Sequence, residues 1–198
     1  MPSPQRLVIA VSGASGSRYA RLLLEHAIPL VPEIGLVVSR VAPQVIAEEL
    51  DLPGGDLLAG LTIPDGHRVT RYAIDNYRAP FASGSNVFDA MVVVPCSQGL
   101  IGRMAHGISD CLISRAADVF LKERRKLILV PREMPMSTLH LRNQLTLAEA
   151  GALILPACPN FYHRPETVEQ VMLTVVDRIL SHLDLRRPGS RRWSEEAE

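Results

Sequence analysis

Cysteine is scarce. Cys96, Cys111 and Cys158 are odd in number and widely spaced, which fits neither a disulfide framework nor a zinc site. A reducing cytoplasm is the simplest compartment, and no metal is expected. Net charge is missing as well. Lys+Arg and Asp+Glu stand at 21 each, so no global basic field points to nucleic acid. No apolar run approaches the roughly 18 residues of a membrane span. The stretch Val8–Ser12 runs straight into glycine and not into a signal-peptide apolar region with a cleavage site. Aromatics reach only 5%, yet 47% of the chain is hydrophobic and mean hydropathy is +0.12. That surplus of apolar surface suggests burial between subunits.

What remains is a chain of 198 residues, long enough for one domain with a substantial core. Arg6–Ser12 is short, nearly all apolar and ended by glycine, as a strand buried on both faces reads. Ile34–Ser39, Arg68–Tyr72, Ala90–Pro95, Leu127–Pro131 and Ala152–Pro156 are predicted as further strands. Helices are predicted over Ser17–Ala27, Pro43–Leu50, Ser109–Glu123, Thr138–Ala150 and Glu166–Leu183, and Pro53–Asp65 reads as an irregular excursion. Strands alternating with helices imply a parallel sheet covered on both faces, an α/β fold of three layers. The domain is expected to span residues 1–185. A tail over 186–198, around Trp193, reads as a frayed terminus.

In such folds ligands bind beyond the carboxyl ends of strands. After the first strand comes Ser12-Gly13-Ala14-Ser15-Gly16. Small residues let backbone N–H groups approach a phosphate, and a helix N-terminus favours the anion. The same residues also suit an ordinary tight turn with serine caps. The spacing is not G-x-G-x-x-G, and the second strand ends in Ser39-Arg40 with no acidic ribose clamp, so a mononucleotide is preferred over a dinucleotide. Cys96-Ser97-Gln98-Gly99 follows the strand Ala90–Pro95, and Ala79–Ser85 is a second loop of small residues, read as flanking the same edge. Cys96 reads as a packing thiol and not a nucleophile.

The stretch Arg115–Glu133 is the richest in charge. Arg115 and Lys122 lie two helical turns apart on one face, where Asp118 can pair with Lys122. Arg124, Arg125 and Lys126 complement a helix C-terminus. Arg132-Glu133 follows a buried strand directly, so Glu133 is either an acid/base candidate or a salt-bridge partner. Arg178, amid Val175, Val176, Ile179 and Leu180, either snorkels to solvent or reaches a phosphate. His163 reads as a capping or hydrogen-bonded residue, since no second ligand stands at metal spacing.

Taken in order, Ser12–Gly16, Pro80–Ser85, Pro95-Cys96-Ser97, Arg115–Val119, Leu121–Arg125, Val130–Glu133 and Phe161–Pro165 resemble the UbiX-type flavin prenyltransferases over nearly the whole chain. The resemblance implies a flavodoxin/Rossmann-like sheet and a cytoplasmic homododecamer with active sites shared between subunits, in a setting such as ubiquinone biosynthesis. It implies transfer of a dimethylallyl group from dimethylallyl phosphate to N5 and C6 of reduced FMN, closing a fourth ring. The prenylated FMN then serves a UbiD-type decarboxylase. By position, Gly13, Ala14, Ser15, Ser39, Ser97, Gln98, Gly99 and Arg132 would contact FMN. Lys122, Tyr162 and Arg178 would hold the prenyl phosphate with Arg115 nearby, and Glu49, Glu133, Ser15 and Lys122 would serve the chemistry. Tyr77 stands where some relatives have tryptophan and still offers a π-face. Two other readings share the fold: an FMN-dependent cysteine decarboxylase, for which His26 is the candidate base, and a flavin-binding protein without activity.

Overall fold

The computed structural model describes residues 3–86 and 88–190, so most of the expected tail, Trp193 included, lies outside the described residues. Six strands form one parallel sheet: β1 (Arg6–Val11), β2 (Glu33–Val38), β3 (Arg68–Tyr72), β4 (Ala90–Cys96), β5 (Lys126–Pro131) and β6 (Leu153–Ile154). Their order is β3-β2-β1-β4-β5-β6. The chain starts at the centre, builds to one side, then returns and builds to the other, which places a switch point between β1 and β4. The helices are α1 (Ser17–Ala27), α2 (Ala42–Leu50), α3 (Gln98–Ala105), α4 (Leu112–Lys122), α5 (Thr138–Glu149) and α6 (Val168–His182).

Composition accounts for the central strand. Leu7, Ile9 and Val11 pack with residues of α1, α2 and α6, while Val8 and Ala10 pack with residues of α3 and α4. Successive side chains of a strand face opposite layers, so β1 must be apolar at every inner position. The expected three-layer α/β/α, flavodoxin/Rossmann-like arrangement is the one observed. The few aromatics are concentrated: Phe81 meets Tyr72 and Phe88 edge-on at 5.0 and 5.2 Å. Gly35 of β2 makes that possible, because a Cβ there would lie 2.9 Å from the Phe81 ring. Burying one such ring contributes roughly 1.5–3 kcal/mol. Among the described residues no helix is long and apolar enough to cross a membrane.

Several elements differ from their expected bounds. Residues 98–105, for which the sequence pattern predicts no element, form α3, capped by Ser97 and ended near Gly107 at φ 68°. The following helix therefore starts at Leu112 and not at Ser109, with Cys111 and Ser114 capping each other. The last strand is regular only over Leu153–Ile154, although the Leu155 and Ala157 N–H groups still donate to the Leu129 and Pro131 carbonyls of β5 at 2.8 and 3.0 Å. The last helix begins at Val168, where Thr167 and Gln170 form its capping box. The start of the tail is tied down: Arg187 Nε donates to Asp177 of α6 at 2.6 Å.

The two edges of the sheet carry different groups. Each central strand is about six residues long, so the edges stand roughly 20 Å apart. The loop Pro80–Ser85 leads into the start of β4, and Arg6, the first residue of β1, donates to Asn86 at 3.0 Å. It therefore lies at the amino edge, across the sheet from Ser97 and not beside it as expected. Lys122 ends α4 four residues before Lys126, which pairs with Ala90 at the start of β4. Lys122 is an amino-edge residue too.

Candidate active site

At the carboxyl edge, where the turns after β1, β2, β3 and β4 meet, lies a cleft of about 400 Å³. Gly13, Ser39 and Ser97 line it together with Arg40, Arg103 and Asp110. Its volume falls within the range of about 300–1,000 Å³ usual for small-molecule sites. Ser12 fixes the floor. Its hydroxyl donates to the Pro95 carbonyl and accepts from the Ser97 N–H, both at 2.8 Å, which locks the turns after β1 and β4 together across the switch point. Gly13 packs tightly, since a Cβ there would lie 3.0 Å from Val41 Cβ. The cleft is therefore a cradle of small residues, hydroxyls and guanidiniums, and these suit a flavin with a phosphate. The Gln98 amide is buried just behind, its Oε1 accepting from Gln144 at 3.3 Å while its Nε2 has no partner.

Glu49 occupies the position at the start of α1 where the glycine-rich loop suggested a phosphate. Its carboxylate accepts from the Gly16 N–H at 2.9 and 3.0 Å and from the Ser17 N–H at 2.7 Å. Gly16 stands at φ 113°, a conformation that costs other L-residues roughly 1–2 kcal/mol. Burial alone would raise the Glu49 carboxyl, but hydrogen bonds from the Ser15 hydroxyl and the Ser17 and Gly16 backbone outweigh it and hold the group below the usual carboxylate range. A lowered folded-state pKa stabilises the fold above the ordinary carboxylate pKa, and this contribution is lost as pH falls through the folded value. Glu49→Gln should therefore lower the melting temperature at pH 7, by the equivalent of about 0.5–2 kcal/mol for a lost helix cap. It should also flatten the acid side of the stability profile in calorimetric scans. An acid limb as steep as that of the parent would remove Glu49 from this role.

At the end of β5, Arg132 Nε donates to the Ser15 carbonyl at 3.0 Å, so Arg132, Glu133, Ser15 and Glu49 stand on one connected rim. Glu133, half-buried, accepts from its neighbour's N–H, Met134, at 3.2 Å. Cys96 is fully buried, and burial pushes its thiol well above the usual range against the opposing charge of Arg103, in keeping with a packing role.

The residues expected to bind the prenyl phosphate are not gathered in one subunit. Tyr162 and Arg178 line one cleft of about 620 Å³ between the segment after β6 and α6, with Asn160 and Thr174. Arg178 is exposed and approaches His182 Nε2 at 3.4 Å, so its place is not explained by a cost of burial. Arg115 donates to the Ala82 carbonyl and to Asp118, each at 3.1 Å. Asp118 thus pairs with Arg115, three residues back, and not with Lys122, which pairs with Glu123 beside Gly84. Tyr77 is half-exposed, its hydroxyl 3.4 Å from the Ser109 carbonyl. A further cleft, of about 860 Å³ and lined by Arg124, Arg125, Lys126, Asp89 and Glu149, lies at the amino edge. It contains none of the expected site residues, and Lys126 is already bound to the His182 carbonyl. The carboxyl edge, where ligands of doubly wound sheets bind, is the stronger candidate. Sequence reading does not single out Arg40, Arg103, Asp110 or Cys111. The adjacent Ser39-Arg40 at a strand end was the available signal.

Such a sheet with a small-residue cleft at its switch point defines a nucleotide- or flavin-binding α/β protein. A family model described as Flavoprotein matches residues 1–181, and the chain belongs to that family. Within it, the chain is a member of the UbiX-type flavin prenyltransferases. Flavin prenyltransferase UbiX of Pseudomonas aeruginosa is 42% identical over 203 residues, covering 99% of this chain and 97% of the relative. Among solved structures, AnUbiX in complex with FMN and dimethylallyl pyrophosphate superposes with a TM-score of 0.88 at 38% identity, covering 98% of this chain and 99% of that one. A dodecameric FMN-dependent UbiX-like decarboxylase from Escherichia coli gives 0.87 at 37%, covering 96% and 100%.

Proposed function

We propose that the chain transfers a dimethylallyl group from dimethylallyl phosphate to N5 and C6 of reduced FMN. The product, prenylated FMN, would pass to a UbiD-type decarboxylase in the cytoplasm. The carboxyl-edge cleft carries this reading, because its small residues and hydroxyls meet the rim that holds two carboxylates, Glu49 and Glu133. Gly13, Ala14, Ser15, Ser39, Ser97, Gln98, Gly99 and Arg132 hold the flavin, and residues 1–185 are its binding domain. The reduced flavin supplies the nucleophilic ring. Glu49 and Glu133, with Ser15 assisting, move protons at the rim. Tyr162 and Arg178 grip the donor's phosphate, and Lys122 and Arg115 stabilise it as it departs, since a monophosphate is a poor leaving group without cations. Tyr77 offers an aromatic face to the prenyl chain.

Because Lys122 stands at the amino edge, the complete centre forms only where subunits meet, and a homododecamer is the proposed assembly. The exposed apolar side chains Leu141 and Leu145 of α5, with Met134, Phe161 and Val168, supply surface for that contact. A cysteine-decarboxylase reading is less well supported. His26 lies in the last turn of α1, about 15 Å along the helix from the carboxyl-edge cleft. The peptidyl-cysteine decarboxylase EpiD shares only the fold, at 18% identity and a TM-score of 0.56.

The donor site is tested by paired titrations. Arg178→Ala should weaken dimethylallyl phosphate binding at saturating FMN by roughly 10- to 100-fold, the worth of a charge-assisted bond, while FMN affinity changes little. Equal loss of both ligands would make Arg178 a support of the fold or the subunit interface.

A further inference from the structure

The loop Pro80–Ser85 is rich in small residues, yet it lies across the sheet from the flavin cleft. It faces the end of α4 instead. The Ala82 carbonyl accepts from Arg115 Nε at 3.1 Å. Two residues on, Gly84 lies against the ion pair between Lys122 and Glu123. A Cβ on Gly84 would stand 2.0 Å from Glu123 Oε1 and 2.8 Å from Lys122 Nζ. The Gly84 backbone is not left-handed, so close approach is what requires glycine there. The pair itself is unusual, because adjacent residues of a helix do not face each other. Arg115 and Asp118, three apart, form an ordinary helical pair. Lys122 and Glu123 meet only because the helix ends between them. Glu123 is the C-cap. Arg124 then turns the chain at φ 52°, and the Arg125 N–H donates to the Phe120 carbonyl at 2.8 Å. Both side chains of the pair stay partly exposed, and exposed ion pairs are weak. Lys122 is held in one place but not tightly.

On the reading that this chain transfers a prenyl group from a phosphate donor, we propose that Glu123 is the resting counter-ion of Lys122. The donor's phosphate takes the ammonium from the carboxylate as it binds, and Glu123 takes it back as inorganic phosphate leaves. Two effects follow from charge alone. The exchange subtracts the strength of the ion pair from donor affinity. The carboxylate left beside a phosphate dianion also repels it. Glu123 is therefore a positioning residue: it lowers donor affinity, speeds release of product phosphate and leaves the chemical step untouched. The small-residue loop belongs to the same device, since Gly84 makes room for the pair and Ala82 anchors the second cation, Arg115.

The test titrates the assembled protein, saturated with oxidised FMN, with inorganic phosphate and with dimethylallyl phosphate. Glu123→Gln keeps the shape of the side chain over Gly84 and removes its charge. It should bind both ligands roughly 2- to 5-fold more tightly, the strength of an exposed ion pair. FMN affinity should not change, nor should the single-turnover rate with reduced FMN at saturating donor. Inhibition by product phosphate should strengthen by the same factor. Glu123→Asp keeps the charge and should stay closer to the parent. Weaker donor binding in Glu123→Gln would overturn the proposal, since it makes the carboxylate a support that Lys122 needs. So would unchanged affinity for both ligands, or a matching change in FMN affinity. The functional reading fails separately: if Lys122→Ala abolishes phosphate binding and Glu123→Gln strengthens it, yet flavin mass is unaltered on incubation with donor, the anion site stands and prenyl transfer is lost.

Discussion

Glu133→Gln is expected to bind FMN normally and to prenylate it roughly 10²–10⁴-fold more slowly, the usual size of a general acid–base contribution. The substitution is informative because it spares the structure. Glu133 accepts the Met134 N–H, and a glutamine carbonyl can accept it equally well. Arg132, one residue earlier, keeps its bond to the Ser15 carbonyl, so the rim that carries Glu49 stays in place. What glutamine cannot do is exchange a proton at that position. Single-turnover measurement of flavin product gives the rate directly. Turnover equal to the parent's would reduce Glu133 to a hydrogen-bond acceptor at a strand end.

The second large effect concerns Lys122. Removing a cation that stabilises departing phosphate should cost roughly 10²–10³ in rate, as for other pre-organised charge-stabilising groups. Lys122→Ala and Glu133→Gln should therefore each be nearly inactive alone. Because Lys122 lies at the amino edge and Glu133 at the carboxyl edge, a shared site takes them from different subunits. Co-expressing the two variants in equal amounts should then restore about a quarter of the sites, those with both wild-type contributions, as a heterologous interface allows. A mixture no more active than its components would place both residues in one subunit's site, or remove Lys122 from it.

Much of this was open to sequence reading where local composition decides. β1 and β4 are apolar at nearly every position because both faces are covered, and such runs have no other plausible place in a chain of this kind. The glycine and serine turns after them follow from the same logic. α3 was harder to see: Gly99 and Gly102 weaken its propensity, and its buried face is only Leu100, Ile101 and Met104 beside Gln98. For the same reason no periodicity marks Arg103 as a helix residue facing the cleft. The capping of α1 by Glu49 joins residues more than thirty positions apart, which no periodicity reveals. The misplacement of Pro80–Ser85 has a different cause. A loop that precedes a strand in a parallel sheet lies at the amino edge, so its position was readable from chain order alone. Small-residue composition says nothing about which edge a loop occupies. The pairing of Asp118 with Arg115 was equally compatible with helical spacing, since i,i+3 and i,i+4 neighbours share a face.

Prenylation of FMN is the activity on which the roles of these residues depend. The most direct measurement is the mass of the protein-bound flavin after anaerobic incubation of the purified oligomer with reduced FMN and dimethylallyl phosphate. A flavin heavier by one dimethylallyl unit, formed only when both reduced FMN and donor are supplied, is the expected result. Flavin recovered unchanged, while a peptidyl- or pantothenoyl-cysteine substrate is oxidatively decarboxylated by the same preparation, would contradict it.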